Sequence, residues 1–324
     1  MERGLPGHHP DVLNLLTYFR TSQASDPRDK IFAFAALTTG RQSATINPDY
    51  TIPVNVAYMR FAYAVIKSQN DLNILGFCQK YIQTVESWSS RPIDRDVIPS
   101  TPLPSWTPDW TIMTETTTFA KYELPADSQS KRLYKATTSF EPFVRLIEST
   151  NTLNVRGCTF DRVFILAPEI TSSLILTAMQ SWHEWVMAQY ETTNMPPGLL
   201  HDAFLHTIAA DLTQIEGRWV RGISAEWPLP RALDDTEEPF DLVSTMGLAV
   251  HSRQLFISEK GFLGLVRFDV TSGDQICLLH GGQVPFVLRE VGDAYHFKGE
   301  CYVHGLMDGE GMNYPHVWKD FALR

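Results

Sequence analysis

The stretch that decides the fold is Arg253-Gln254-Leu255-Phe256-Ile257, followed after a Gly-containing turn by Phe262-Leu263-Gly264-Leu265-Val266. Short runs of aliphatic and aromatic residues bounded by turn residues are typical of paired β-strands. Three more runs of this kind follow before residue 304. The turn signals that separate them are Ser272-Gly273-Asp274, Gly281-Gly282 and Gly292-Asp293. Strands at this spacing predict a small, strongly bent antiparallel sheet or partial β-barrel at the C-terminus.

The beginning of the chain has a different periodicity. Apolar residues recur every three or four positions over 12–20, 31–37 and 54–66, which predicts three amphipathic helices. The same spacing returns over 172–190 and 199–213 and predicts two further helices. The fold class is therefore predicted to be α+β, with N-terminal helices packed against the C-terminal sheet.

One long segment follows neither pattern. Residues 84–132 are rich in proline, serine and threonine, which is the chemistry of loops. Inside it, Leu103-Pro104-Ser105-Trp106-Thr107-Pro108-Asp109-Trp110 places two indoles among prolines. We expect a single unit, 1–324, made of a helical part (1–83), a Pro-rich loop (84–132), a mixed part (133–250) and an antiparallel β part (251–324).

Composition excludes some classes of protein. The formal net charge of −10 and the lack of a basic run argue against a nucleic-acid-binding surface. The longest apolar run, 31–37, is far too short for a membrane span, and the N-terminus does not resemble a signal peptide. The four cysteines are scattered, so we interpret them as buried small apolar residues in a reducing compartment. A cytoplasmic protein is the expectation.

Two motifs carry a resemblance to a known family. Asp26-Pro27-Arg28-Asp29-Lys30 with Pro48-Asp49-Tyr50 stands near the N-terminus, and the stretch from Gly299 to Glu310 stands near the C-terminus. With the segments between them, in order, they resemble the C-terminal region of fungal heterokaryon-incompatibility (HET) proteins over nearly the whole chain. Proteins of this family usually carry a HET domain proper, with an Ala-Leu-Ser-Tyr-x-Trp-Gly type strand and a Trp-Ile-Asp-x-x-Cys-Ile-Asn-Gln type segment. Neither motif is found in this sequence. The resemblance therefore implies a shared scaffold and leaves the cell-death function open.

The usual catalytic motifs are not found. His183-Glu184 begins like a zinc-protease helix, but Met187 stands where the second histidine is required. No phosphate-binding loop or dinucleotide fingerprint is present. We therefore expect no metal and no cofactor.

Candidate site residues come from the aromatic and polar positions of the motifs. The candidate catalytic residues are Tyr50, Asp109 and His304, and the candidate substrate-binding residues are Trp106, Trp110, Glu300 and Asp308. The indoles either line an apolar pocket or anchor the Pro-rich loop to the core, and the sequence leaves both open. Glu300 and His304 are an even number of residues apart, which on one strand would place both on the same side. The alternative role for Glu300 and His304 is to form hydrogen bonds with the polar groups of a tight turn at 305–309.

Two functions from different classes follow. The first is a cofactor-independent cyclase of fungal secondary metabolism that acts on an apolar terpenoid or polyketide, for example a pericyclase. Such a reaction requires a shaped apolar cavity that holds the substrate in a reactive pose, with no metal or nucleophile. The alternative is a heterokaryon-incompatibility interaction protein without enzymatic activity. The oligomeric state is open.

Overall fold

The computed structural model describes residues 12–35, 47–78, 102–112, 118–119, 133–137, 139–169, 175–193, 195–215, 218–222 and 246–324. The helices in these ranges are α1 Val12–Tyr18, α2 Asp29–Ala35, α3 Val54–Gln69, α4 Ile175–Ala188, α5 Tyr190–Thr193 and α6 Pro197–Ile208. The strands are β1 Val144–Ile147, β2 Thr152–Leu166, β3 Leu212–Ile215, β4 Arg218–Arg221, β5 Arg253–Ser258, β6 Leu263–Arg267, β7 Gln275–Leu279, β8 Phe286–Val291, β9 Ala294–Glu300, β10 Tyr302–Val303 and β11 Lys319–Leu323. Most of the predicted Pro-rich loop, including 84–101, lies outside the described residues.

Strand β2 organises the sheet. Its 15 residues pair with β1 and β11 in the first half and with β7 and β5 further along. Because β11 pairs with β9, β9 with β8, β8 with β7 and β7 again with β2, five strands close into a barrel. Register shifts in β2 at 159–161 and 163–165 bend the strand, so that its end joins β5, β6 and β10. The predicted α+β class with a bent, partly barrel-like sheet is confirmed.

Two details differ from the expectation. The antiparallel β part was expected to begin at 251, whereas the barrel takes its longest strand from 152–166. In addition, β11 runs parallel to β9, with Leu323 opposite Tyr295. Both features depend on pairing between distant segments, which local alternation of residue types does not encode.

A glycine allows the tight approach of β2 to β7. A Cβ atom on Gly157 would lie 2.6 Å from the carbonyl oxygen of Leu278 and 2.6 Å from Leu279 Cδ2. Real Cβ contacts are not this short, so a side chain at this position would push β7 away from β2. The closed barrel therefore requires glycine here.

The helices and the barrel share one apolar core. A single cluster of buried side chains includes Phe61 of α3, Trp182 of α4, Phe204 of α6 and Leu265 of β6. A smaller second cluster fills the space around Phe160 of β2. The four cysteines are free and buried, as predicted. Within the described ranges, no helix is both long enough and apolar enough to cross a membrane.

Candidate functional site

The two N-terminal motifs contact each other directly. The Tyr50 hydroxyl donates a hydrogen bond of 2.5 Å to an oxygen of Asp29, at the start of α2. Arg28 donates to the carbonyl oxygens of Tyr50 and Ile52 and forms an ion pair of 2.7 Å with Asp26. These contacts fasten the start of α2 to the chain that leads into α3. Tyr50, which is 52% exposed, is thus held by Asp29 and not by any other candidate site residue.

The two candidate tryptophans are buried in the core. Trp106 is 0% exposed, and its indole N–H donates to the carbonyl oxygen of Asn151 at 3.1 Å. Trp110 is 1% exposed, and its ring contacts Phe61 and Phe77 with centroid distances of 6.5 and 5.6 Å. Both residues belong to the apolar core shared by the helices and the barrel. Their burial favours the second of the two roles that the sequence left open, as anchors of the Pro-rich segment.

Asp109 caps its own turn. One carboxylate oxygen accepts hydrogen bonds from the backbone N–H and the hydroxyl of Thr111, at 2.9 and 2.6 Å. The carbonyl oxygen of Asp109 accepts a hydrogen bond of 2.9 Å from Arg20, whose guanidinium lies over the Trp110 ring. Burial lowers the pKa of Arg20 to about 10. This network orders the backbone around Trp110.

Glu300 lies at the end of β9 in a buried ion pair. Its carboxylate is 3.2 Å from the guanidinium of Arg253, and both side chains are almost fully buried. The same oxygen accepts a hydrogen bond from the backbone N–H of Phe119, whose ring lies 3.9 Å from the Arg253 guanidinium carbon. Burial raises the pKa of Glu300 to about 7, although Arg253 opposes the shift. Glu300 therefore links the barrel to the segment around Phe119.

A polar group of five side chains forms at the surface beside the barrel: His206, Asp211, Arg221, His304 and Asp308. We call it the His206 cluster. His206 Nδ1 lies 2.6 Å from one oxygen of Asp211, and Arg221 Nε donates to the other at 2.7 Å. The far side of Arg221 pairs with Asp308 at 2.9 Å, and the His304 ring lies 5.4 Å from that of His206. The cluster thus connects α6, the β3–β4 hairpin and the turn after β10.

The backbone that places Asp211 is strained. Ala210 and Asp211 have φ angles of 51° and 55°, in the left-handed region that non-glycine residues rarely adopt. Hydrogen bonds stabilise this turn: the Tyr134 hydroxyl donates to the carbonyl oxygen of Ala210, and the N–H of Gly222 donates to that of Asp211. Strain of this kind persists where the surroundings fix the conformation, and it is common at functional sites.

The cluster places an ionised carboxylate against an imidazole. Burial opposes ionisation of Asp211, but hydrogen bonds and attraction from His206 and Arg221 hold its pKa below the ordinary value. Burial, together with the neighbouring His206, lowers the pKa of His304. An imidazole whose Nδ1 is held by a carboxylate has its Nε2 available, which is the arrangement of a general base. Arg221 is already engaged by two carboxylates, so the cluster is not suited to bind an anion.

The structure therefore brings together two of the seven candidate residues. His304 and Asp308 meet in the His206 cluster, whereas Glu300 points into the interior. The expectation that Glu300 and His304 share one side of a single strand is wrong, because β9 ends at Glu300 and His304 follows β10. The catalytic and binding roles of all seven residues stay predictions.

Sequence reasoning missed the other members of the cluster. His206 stands in the last turn of α6, and Asp211 follows five positions later. A histidine at a helix end followed closely by an aspartate was the available signal. The left-handed turn that brings the two side chains together involves alanine and aspartate, so no glycine marked it.

The described part of the chain thus forms a closed β-barrel that shares its core with a layer of helices. Residues 236–323 match the Het-6 beta-barrel domain, which confirms the predicted resemblance to HET proteins for the C-terminal region of the chain. The chain is also similar to heterokaryon incompatibility protein 6, OR allele, of Neurospora crassa, with 37% identity over 70 residues. That similarity covers 20% of this chain and 10% of the Neurospora protein. No solved structure matches the chain.

Proposed function

We propose that the protein is a partner-binding protein of the heterokaryon-incompatibility type, which acts in the cytoplasm without turning over a substrate. The observation that carries this proposal is the Het-6 beta-barrel domain at 236–323, together with the similarity to a protein named for heterokaryon incompatibility. Four of the five barrel strands, β7, β8, β9 and β11, lie within this matched region, together with the neighbouring strands β5, β6 and β10. The family likeness therefore covers most of the barrel strands, but not the longest one, β2.

The positions of the candidate residues support the same proposal. Trp106 and Trp110, expected as pocket walls in a cyclase, are at most 1% exposed. Tyr50 and Asp109, expected as orienting groups, form hydrogen bonds with Asp29 and Thr111. A pericyclase requires aromatic surface and a hydrogen-bonding group around one substrate. Side chains already committed to the core and to local turns do not supply that arrangement.

Gene replacement in the fungus that carries the gene tests the proposal. Heterokaryons are formed between strains with and without the gene, and between strains with different alleles of it, and the viability of fused cells is scored with a vital dye. We expect viability to depend on the combination of alleles, while the secondary-metabolite profile of the deletion strain stays that of the parent. Unchanged viability in every combination, with loss of one metabolite, would overturn the proposal.

The second candidate is the cofactor-independent cyclase. One observation favours it: His206 is oriented by Asp211 at 2.6 Å, as in a general base that removes a proton from a substrate. The relevant variant is His206→Asn, with His296→Asn on β9 as a control because His296 is exposed and lies outside the cluster. Cyclisation of a metabolite by the purified chain, lost in the first variant and kept in the second, would establish this function.

A further inference from the structure

Two histidines from different helices face each other on the α4–α6 surface. His183 Nε2 of α4 and His201 Nδ1 of α6 are 2.9 Å apart, and both side chains are half-buried. Within the helix sequence, His183 has no second histidine to share a metal with, because Met187 takes that position. The fold supplies a second imidazole from a residue 18 positions away. Nothing in the proposed function uses this pair.

We propose that His183 and His201 form a two-imidazole binding site for a divalent transition-metal ion of the Cu²⁺ or Ni²⁺ type, with water at the other coordination positions. Metal–imidazole bonds are about 2.05 Å long, so two nitrogens at 90° around one ion lie about 2.9 Å apart. The observed separation, which now spans a hydrogen bond between the rings, is close to that distance. Tetrahedral Zn²⁺ would require about 3.3 Å, so square-planar and octahedral ions need the smaller change in the separation of the two nitrogens.

Only small movements separate the present pair from a bound pair. The ring centroids are 5.0 Å apart with an interplanar angle of 85°. Pointing both nitrogens at one ion brings the centroids to about 4.5 Å, which a modest rotation of each ring achieves, since χ2 of histidine has broad minima. The ring that now donates the hydrogen bond moves its proton to its other nitrogen. No net proton is released, because each neutral imidazole keeps one N–H.

The surroundings of the pair favour a cation. Glu184, exposed beside His183, carries a negative charge that attracts a divalent cation. A bound ion would connect α4 to α6 and stabilise the folded protein, because the unfolded chain does not hold the two rings together.

Metal titration of the full chain tests this site. The starting protein for the titration is the variant with His8→Asn and His9→Asn, because adjacent histidines near an N-terminus bind the same ions. CuCl₂, NiCl₂ and ZnCl₂ are titrated separately by calorimetry, with thermal melts at each metal concentration. We expect one equivalent of Cu²⁺, an increase in Tm, and affinity in the order Cu²⁺ > Ni²⁺ > Zn²⁺. His183→Asn and His201→Asn should each weaken Cu²⁺ binding at least tenfold, whereas His296→Asn should leave it unchanged.

A spectroscopic measurement identifies the ligands of the bound ion without relying on the variants. Pulsed EPR of the protein with one equivalent of Cu²⁺ should show two coordinated imidazoles. One imidazole or none would overturn the proposal. Equal Cu²⁺ affinity of the starting protein and of the variant that lacks both His183 and His201 would overturn it as well.

Discussion

Replacing either core tryptophan by alanine is expected to destabilise the protein severely. Trp106 is 0% and Trp110 1% exposed, and both pack among the side chains that join α3, the Pro-rich segment and the barrel. Emptying a buried aromatic site costs about 3–5 kcal/mol. Since domains are typically stable by about 5–15 kcal/mol, each substitution removes a large part of the free energy of unfolding. For Trp110→Ala, the loss of the cation–π contact with Arg20, 4.9 Å from the ring, adds to the cost.

Urea unfolding followed by far-UV circular dichroism measures this cost. The control is Tyr18→Ala, because Tyr18 is 86% exposed and its truncation should cost about 1 kcal/mol or less. The conservative variant Trp110→Phe should recover most of the stability that Trp110→Ala loses. The reasoning is refuted if Trp106→Ala and Trp110→Ala each lie within about 1 kcal/mol of the unmodified protein, since neither indole would then anchor the core.

Three further predictions concern the buried ion pair, the barrel and the His206 cluster. The pKa of Glu300 is about 7 in the folded protein, above its ordinary value of 4.5, so the folded state holds an extra proton between these pH values. The free energy of unfolding of the unmodified protein, relative to that of Glu300→Gln, should therefore fall by on the order of 3 kcal/mol from pH 4.5 to 7. Urea unfolding at each pH measures this difference, and a difference that stays flat or rises with pH would contradict the prediction. A fragment of residues 251–324 lacks β2 and should show no cooperative thermal transition, whereas a sharp melt would show that the barrel is autonomous. Arg221→Met should cost about 2 kcal/mol because it removes the cation from the largely buried carboxylate of Asp211 and leaves His206 as the remaining partner. Asp308→Asn should cost under about 1 kcal/mol because Asp308 is exposed, and equal costs of the two variants would contradict this difference in burial.

The sequence predicted those parts of the fold that depend on local pattern. The C-terminal strands from β5 to β9 and the helix α3 were expected from the spacing of apolar residues, and the structure contains them. The closure of the barrel was not predicted in detail, because it depends on β2 pairing with residues more than 100 positions away. Pairing at that distance is selected by packing in three dimensions and not by neighbouring residues.

The candidate site was less predictable for a related reason. The role of Glu300 depends on Arg253 and Phe119, which are 47 and 181 residues away. The sequence alone does not show whether the Glu300 carboxylate lies in the interior or at the surface. The structure places it in the interior, in an ion pair with Arg253. The contact between His206 and Asp211 spans just five residues, but it requires a left-handed turn that is normally signalled by glycine or asparagine.

The central claim is that the chain binds partners and does not cyclise a small molecule. The most direct measurement adds the purified full chain to a metabolite extract of the deletion strain and follows the extract by liquid chromatography with mass spectrometry, beside a heat-denatured control. We predict no change in any metabolite that depends on the native protein. A new product with the same mass as a metabolite that disappears, formed only by the native chain, would contradict the claim.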